Sequence, residues 1–212
     1  MCCLFGFVDY TGALSVNQKN RLIRKLSIAA EARGTDATGI AYNTSRGLQI
    51  YKRPLAAHRL HLRIPAEAHV VSGHTRMTTQ GSAKKNFNNH PFFGHVKGKT
   101  FALAHNGTIW NDLELRRTKH LPRTKVQTDS FIAVQLIEQQ KSLDFSSLRY
   151  TAEAVEGSFS FTVLSERDDL YLIKGDNPLN IVHFPKVGVY IYASTAEILN
   201  KALARWGNWL GR

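Results

Sequence analysis

Met1-Cys2-Cys3-Leu4-Phe5-Gly6-Phe7-Val8-Asp9 is the stretch on which the reading of this chain turns. From Cys2 to Val8 it is an almost unbroken apolar run, closed by Asp9 and Gly12. That is the pattern of a strand buried on both faces, not of one with a wet side. The stretch also carries chemistry. Removal of Met1, usual ahead of a small residue, leaves Cys2 with a thiol and a free α-amine on one residue. A thiol starts from a pKa of about 8.5 and an α-amine titrates near about 8, so the amine accepts a proton close to neutrality. Pairing a nucleophile with an N-terminal amine is one way of activating it. The same residues also read as small apolar side chains opening a buried strand, and the decision comes from further along.

At 212 residues the chain can bury a good core and is most simply one domain, 1–212. A hydrophobic content of 43% with 21% charged residues fits a folded soluble protein. No apolar run approaches the ~20 residues needed to span a bilayer, and no basic segment with an apolar core opens the chain, so no membrane association and a cytoplasmic location are expected. The two cysteines are sequence neighbours, too close for an ordinary disulfide, and no Cys-x-x-Cys pattern offers a zinc site. Neither a metal nor a cofactor is expected. Lys and Arg number 28 against 16 Asp and Glu, a formal charge of +12. The excess favours association with polyanions and keeps nucleic acid among the candidate partners, although each cluster (Lys52-Arg53, Lys84-Lys85, Arg116-Arg117, Arg123 with Lys125) also reads as a solvated surface.

Beyond the first strand, Asn17 is positioned to cap a helix from about Gln18 to Arg33, with Leu22, Ile23, Leu26, Ala29 and Ala30 on its apolar face and Gly34 as its stop. Ile40–Asn43 and Leu48–Arg53 form a hairpin across Thr44 to Gly47. Pro54 opens a weak helix holding His58 and His61, and Ala68–Ser72 is a strand running into His74-Thr75-Arg76-Met77-Thr78-Thr79-Gln80-Gly81. A polar loop with Asn86, Asn88, Asn89, His90 and Pro91 follows, long enough to suggest function. Phe101–Ala104 is a strand ending at His105-Asn106-Gly107, and Asn111 or Asp112 caps a helix through Arg117. Thr128-Asp129-Ser130 caps an apolar helix over Phe131–Gln139. Here Asp129 reads either as a helix-dipole partner or as a carboxylate aimed into a pocket. A helix over Phe145–Glu156 leads to strands at 158–163, 170–174, 180–183 and 187–193. A last helix, Thr195 to Arg205, ends in Trp206-Gly207-Asn208-Trp209-Leu210.

Three separated segments, Met1-Cys2, His74 to Gly81 with Asn89-His90-Pro91, and His105-Asn106-Gly107 with Asn111 and Leu115-Arg116, resemble class II glutamine amidotransferase domains. These are the N-terminal-nucleophile glutaminases of amidophosphoribosyltransferase, glucosamine-phosphate synthase and asparagine synthetase. Arg33-Gly34-x-Asp36-x-x-Gly39 and Thr128-Asp129-Ser130 also stand where that family has similar motifs. The resemblance runs in order from residue 2 to about residue 195. It implies an α+β fold of the N-terminal-nucleophile hydrolase type, a four-layer α/β/β/α sandwich with two largely antiparallel sheets between helices. It further implies an enzyme that hydrolyses L-glutamine through a Cys2 thioester; because no synthase domain follows in the sequence, a free-standing glutaminase that passes ammonia to a separate synthase partner is expected.

The resemblance also implies roles. Cys2 attacks the side-chain amide while its α-amine shuttles the proton. The Asn106 side chain and the Gly107 N–H form an oxyanion hole. Arg76 suits the substrate α-carboxylate through a planar bidentate contact, Asp129 suits the α-ammonium by charge, and Thr79 matches a substrate-contacting position. His74, His90 and His105 order loops. Cys3 departs from the family's glycine, Met77 from its tryptophan and Gln80 from a common histidine. Two other readings stand beside this one: an N-terminal-nucleophile amidase for a different amide, and a degenerate amidotransferase whose charge holds nucleic acid.

Overall fold

The structure, a computed structural model, describes residues 2–204. β1 (Cys3–Asp9) lies inside a six-stranded sheet. Its antiparallel neighbours are β4 (Val70–Arg76) and β10 (Val189–Ala193), so that Phe5 stands opposite Gly73 on one side and Ala193 on the other. The hairpin of β2 (Ala37–Thr44) and β3 (Gly47–Arg53) extends the sheet beyond β4, and β9 (Asn180–Phe184) ends it beyond β10. Successive side chains of a strand point to opposite faces. Cys3, Phe5 and Phe7 accordingly pack with Leu22 and Leu26 of α1 (Val16–Ala30) and Ile198 of α5 (Ala196–Leu203), while Leu4 meets Ala104 and Tyr192 on the other face. Both faces being covered is the reason the opening run shows no polar alternation.

The second sheet runs β5-β6-β7-β8, with β5 (Phe92–Val96), β6 (Lys99–Ile109), β7 (Gly157–Ser165) and β8 (Leu170–Lys174), again antiparallel throughout. Phe101, Leu103, Phe161 and Val163 point outward onto α3 (Phe131–Gln140) and α4 (Phe145–Ala154), joined by Leu115 of α2 (Asp112–Thr118). Small residues fill the space between the sheets, among them Ala41 and Ala102, and Ser72 Oγ and Thr162 Oγ1 share a 2.9 Å hydrogen bond across it. The result is the expected α/β/β/α sandwich.

Several local expectations are corrected. The α1 cap is Ser15 rather than Asn17, because the Ser15 hydroxyl accepts the Gln18 N–H while the Gln18 side chain accepts the Ser15 N–H, a reciprocal capping box. The turn Glu31–Arg33 that follows is 3-10 and stops at Gly34. The weak helix after Pro54 shrinks to a single 3-10 turn, Ala57–Arg59, where the His58 backbone and ring both meet the Glu31 carboxylate. β4 continues to Arg76 because β1 and β2 flank it nearly to its end. The polar loop that holds Asn86 to Pro91 runs straight into β5, a strand the sequence did not show, whose buried Phe92, Gly94 and Val96 alternate with exposed Phe93 and His95. β6 carries His105-Asn106-Gly107 inside the strand, since β7 pairs with it as far as Ile109. Asn111 makes no side-chain cap, its amide being used by Ala154 O and the Glu156 N–H, and α3 likewise has no side-chain cap hydrogen bond. Met1, Arg205 and the Trp206–Leu210 ending lie outside the described residues. No helix among the described residues is long and apolar enough to cross a membrane.

Candidate active site

The β1–β4 register sets Cys3 against Thr75, so one residue earlier Cys2 comes alongside Arg76. The Cys2 carbonyl accepts a 2.8 Å bond from Arg33 Nε, and its thiol donates to the Met77 carbonyl at 3.5 Å. Burial pushes the Cys2 thiol above its ordinary value, and the nearby Arg76 guanidinium opposes that shift. Cys3 points the other way, into the core under α1, where burial drives its thiol up to about 11. The strand's alternation thus separates two thiols that are adjacent in sequence.

The segment from Arg33 to Gly39 supports the chain start and the loop after β4. Arg33 holds Cys2, and a Cβ on Gly34 would lie 2.4 Å from the Arg76 carbonyl carbon. The Asp36 N–H donates to Arg76 O at 2.9 Å, its carboxylate accepts the Thr78 N–H at 2.8 Å, and a Cβ on Gly39 would lie 2.1 Å from His90 O. These residues carry backbone, not substrate chemistry.

Arg76 is only 3% exposed; its guanidinium donates to Asn89 Oδ1 at 2.7 Å, to Gly81 O at 3.1 Å and to Gln80 O. Asp129, equally buried, accepts the Ile109 N–H at 2.7 Å, and its own N–H donates to Gln80 Oε1 at 3.1 Å. It therefore ties the end of β6 to the start of α3 and does not cap the helix. Asn106 is buried, with its amide nitrogen 3.4 Å from Ser194 Oγ and its backbone carbonyl accepting from Asn177 Nδ2 at 2.8 Å. Gly107 has φ +144°, and a Cβ there would lie 1.9 Å from Ser158 O, so no other residue fits. Thr79 is exposed at the mouth.

These side chains converge. Cys2, Arg76, Thr79, Gly107 and Asp129 line one small cavity of about 10 Å³, and Cys2, Thr79, Asn106, Gly107 and Asn177 line an adjoining one of about 90 Å³. All six residues singled out in the sequence therefore border one or both of two cavities that share Cys2, Thr79 and Gly107.

Three buried histidines lie behind it. His74 donates to His105 O at 2.9 Å and is pushed down to about 3 by burial. Burial lowers His105 to about 4, against the pull of Asp129, while its Nδ1 meets Ser130 Oγ at 2.8 Å. The His90 ring lies between those of His74 and Phe92, tilted against both and with both ring nitrogens unpaired, and burial holds it well below its usual value. All three are neutral near pH 7, which suits loop ordering. Among the described residues no group of three His, Cys, Asp or Glu side chains is arranged to hold a metal ion.

Sequence reasoning missed three contributors. Lys52, grouped there with surface lysines, turns inward, donating to the Asn89 and Pro91 carbonyls and sitting 5.1 Å over the Phe92 ring; burial lowers it to about 8. Ser194 accepts the Leu4 N–H at 2.9 Å and lies beside Asn106, joining β1 to β6. Asn177 reaches Asn106 from the loop after β8. No spacing in the sequence marks any of them, because each acts only through a residue distant along the chain.

A two-sheet sandwich with a cysteine leading its inner strand is the architecture of N-terminal-nucleophile amidotransferases. It superposes on glutamine phosphoribosylpyrophosphate amidotransferase from B. subtilis with a TM-score of 0.73 at 17% identity, covering 95% of this chain and 43% of that one. A structure described as the allosteric regulatory enzyme of purine biosynthesis gives a TM-score of 0.77 at 17% identity, with the same 95% and 43% coverage. The family model described as glutamine amidotransferase domain matches residues 74–201, and the chain belongs to that family. It is 30% identical over 204 residues to glutamine–fructose-6-phosphate aminotransferase (isomerizing) of Halalkalibacterium halodurans, covering 92% of this chain and 32% of the relative. The corresponding protein of Bacillus thuringiensis subsp. konkukian is 33% identical over 188 residues, 84% of this chain and 30% of the relative. The chain thus spans about a third of the length of these curated relatives.

Proposed function

We propose that the chain is the glutaminase part of an amidotransferase, which hydrolyses L-glutamine to L-glutamate and ammonia and passes the ammonia to an acceptor domain or subunit. The observation that carries this reading is the convergence of Cys2, Arg76, the Asn106–Gly107 pair and Asp129 on one region. Arg76 and Asp129 are buried charges that attract each other at a distance, and among the described residues neither makes a close ion pair. A buried charge without a counter-charge is costly. The α-carboxylate and α-ammonium of a bound amino acid would supply both partners.

In the reaction, the α-amine of Cys2, freed by loss of Met1, takes the thiol proton as sulfur attacks the side-chain carbonyl carbon. The C–S bond forms, and the carbonyl oxygen takes the negative charge between Asn106 Nδ2 and the Gly107 N–H. Collapse breaks the C–N bond, and the ammonium proton leaves with ammonia. Water then attacks the thioester, releasing glutamate and restoring the thiol. Entry requires movement of the 79–81 segment. A cavity of about 10 Å³ holds at most one water, and the Gln80 and Gly81 carbonyls occupy the Arg76 guanidinium.

The test is glutamate and ammonia release by the purified chain, with intact mass to establish loss of Met1 and Cys2→Ala as control. Release that disappears in the variant supports the reading. A chain with Cys2 at its terminus that neither releases glutamate nor is trapped by a glutamine-like electrophile would end it.

A further inference from the structure

We infer that Asn177 is a positioning residue for the oxyanion hole, holding the Asn106–Gly107 peptide in the orientation that presents the Gly107 N–H; this rests on the glutaminase reading above. The Asn106 carbonyl and the Gly107 N–H belong to one planar peptide unit. Fixing the oxygen therefore fixes the direction of the N–H. Asn177 Nδ2 donates to that oxygen at 2.8 Å.

This peptide is where such a lock is needed. Gly107 sits at φ +144° with no side chain to restrict it, so rotation of the peptide plane is the soft motion of an otherwise paired strand. The lock is itself anchored to the same strand pair. Asn177 O accepts Ser160 Oγ at 2.8 Å, and Ser160, fully buried, stands opposite Asn106 in the β6–β7 register. Asn177 also closes in on Gly107 directly, since a Cβ there would lie 2.6 Å from Asn177 Nδ2. A donor at the carbonyl end further polarises the peptide and strengthens its N–H as a donor. Asn177 belongs to none of the short motifs that carry the resemblance in the sequence, and it reaches the site from a loop about 70 residues later in the chain.

The experiment compares the unmutated chain with Asn177→Ala and Asn177→Asp, the latter nearly isosteric but unable to donate. Turnover of glutamine is measured together with inhibition by the aldehyde analogue of glutamine. Its carbonyl adds the Cys2 thiol, so that the C–S bond forms and the carbonyl oxygen, taking the thiol proton, occupies the oxyanion position. The expected result is a kcat lowered by about 10- to 100-fold, below the full loss of a donor, with KM and glutamate affinity within about twofold and aldehyde inhibition weakened in step with kcat. Faster hydrogen exchange at the Gly107 amide, with exchange at Phe101–Ala104 unchanged, is expected in both variants and is read without any turnover. An active unmutated chain whose Asn177→Asp variant keeps its kcat and its Gly107 exchange rate would overturn the role of Asn177 alone. Equal losses in kcat, KM and glutamate affinity would also overturn it, marking a general structural defect. An unmutated chain with a free Cys2 terminus and no glutamate release would overturn the glutaminase reading itself, and the catalytic role of Asn177 with it.

Discussion

Replacing Asn106 with alanine separates the chemistry of this site from its architecture. Asn106 is 1% exposed, yet its side-chain amide has a single weak partner, Ser194 Oγ at 3.4 Å. Ser194 loses little by the change, because its hydroxyl still accepts the Leu4 N–H at 2.9 Å. The carbonyl bond to Asn177 is made by the backbone and survives. The stability cost should thus be small, on the order of 1 kcal/mol for one lost hydrogen bond and a small void. The catalytic cost should be much larger, because one of two donors to the developing oxyanion disappears; that corresponds to about 100- to 1,000-fold in kcat, or about 3–4 kcal/mol. The assay is steady-state glutamate release beside thermal unfolding of the same preparations. The expected result is a kcat lower by that factor, a nearly unchanged KM and a midpoint within a few degrees. A kcat within about threefold of the unmutated chain, while Cys2→Ala abolishes turnover, would refute the assignment of Asn106 to the oxyanion hole.

Other consequences are open to equally direct measurement. Arg76→Lys keeps the charge but loses the planar fork, so KM for glutamine should rise by about 10- to 100-fold, the equivalent of a charge-assisted bond, with a smaller change in kcat; an unchanged KM would detach Arg76 from the substrate. Alkylation with iodoacetamide should give one adduct by intact mass, at Cys2 and not at the fully buried Cys3, and faster as pH rises, because burial holds the Cys2 thiol above its ordinary value and the thiolate is the reacting form. Two adducts at native pH would contradict the placement of Cys3. Acid should destabilise the fold early: the unfolded chain protonates its histidines below about pH 6.5, whereas folded His105 resists to about 4 and His74 to about 3, so stability present above pH 6.5 is lost between those limits. Urea unfolding at pH 7 and pH 5 should differ by up to about 1.4 kcal/mol per pH unit for each such histidine, and equal midpoints would show that they are not buried neutral.

The elements that the chain states locally were legible before the structure. The β2–β3 hairpin, α1, α3, α4 and the strands from β7 to β10 follow from periodicity and turn residues that lie close together along the chain. The errors fall where pairing across the molecule outvotes local signals. β5 was hidden because its buried Phe92, Gly94 and Val96 follow a polar loop, and a strand of five residues declares itself only beside β6. Read locally, the strand stops at Ala104, just before His105-Asn106-Gly107; the place of Asn106-Gly107 inside β6 is imposed by the ladder with β7. Asp129 reads locally as a helix cap, and only the approach of β6 shows it receiving the Ile109 N–H.

For the site, the sequence by itself determined the chemical inventory: a cysteine after Met1, an arginine after His74-Thr75, an Asn-Gly pair and an acid at the head of an apolar helix. Those identities are written residue by residue, and their order matches the family. The tertiary structure decided which of them meet and what holds them. Strand register brings Cys2 beside Arg76, alternation sends Cys3 into the core, and Ser194, Lys52 and Asn177 act through bonds to residues far along the chain. Such contacts leave no local pattern, because a hydrogen bond across two sheets depends on where folding places both partners and not on the spacing of either.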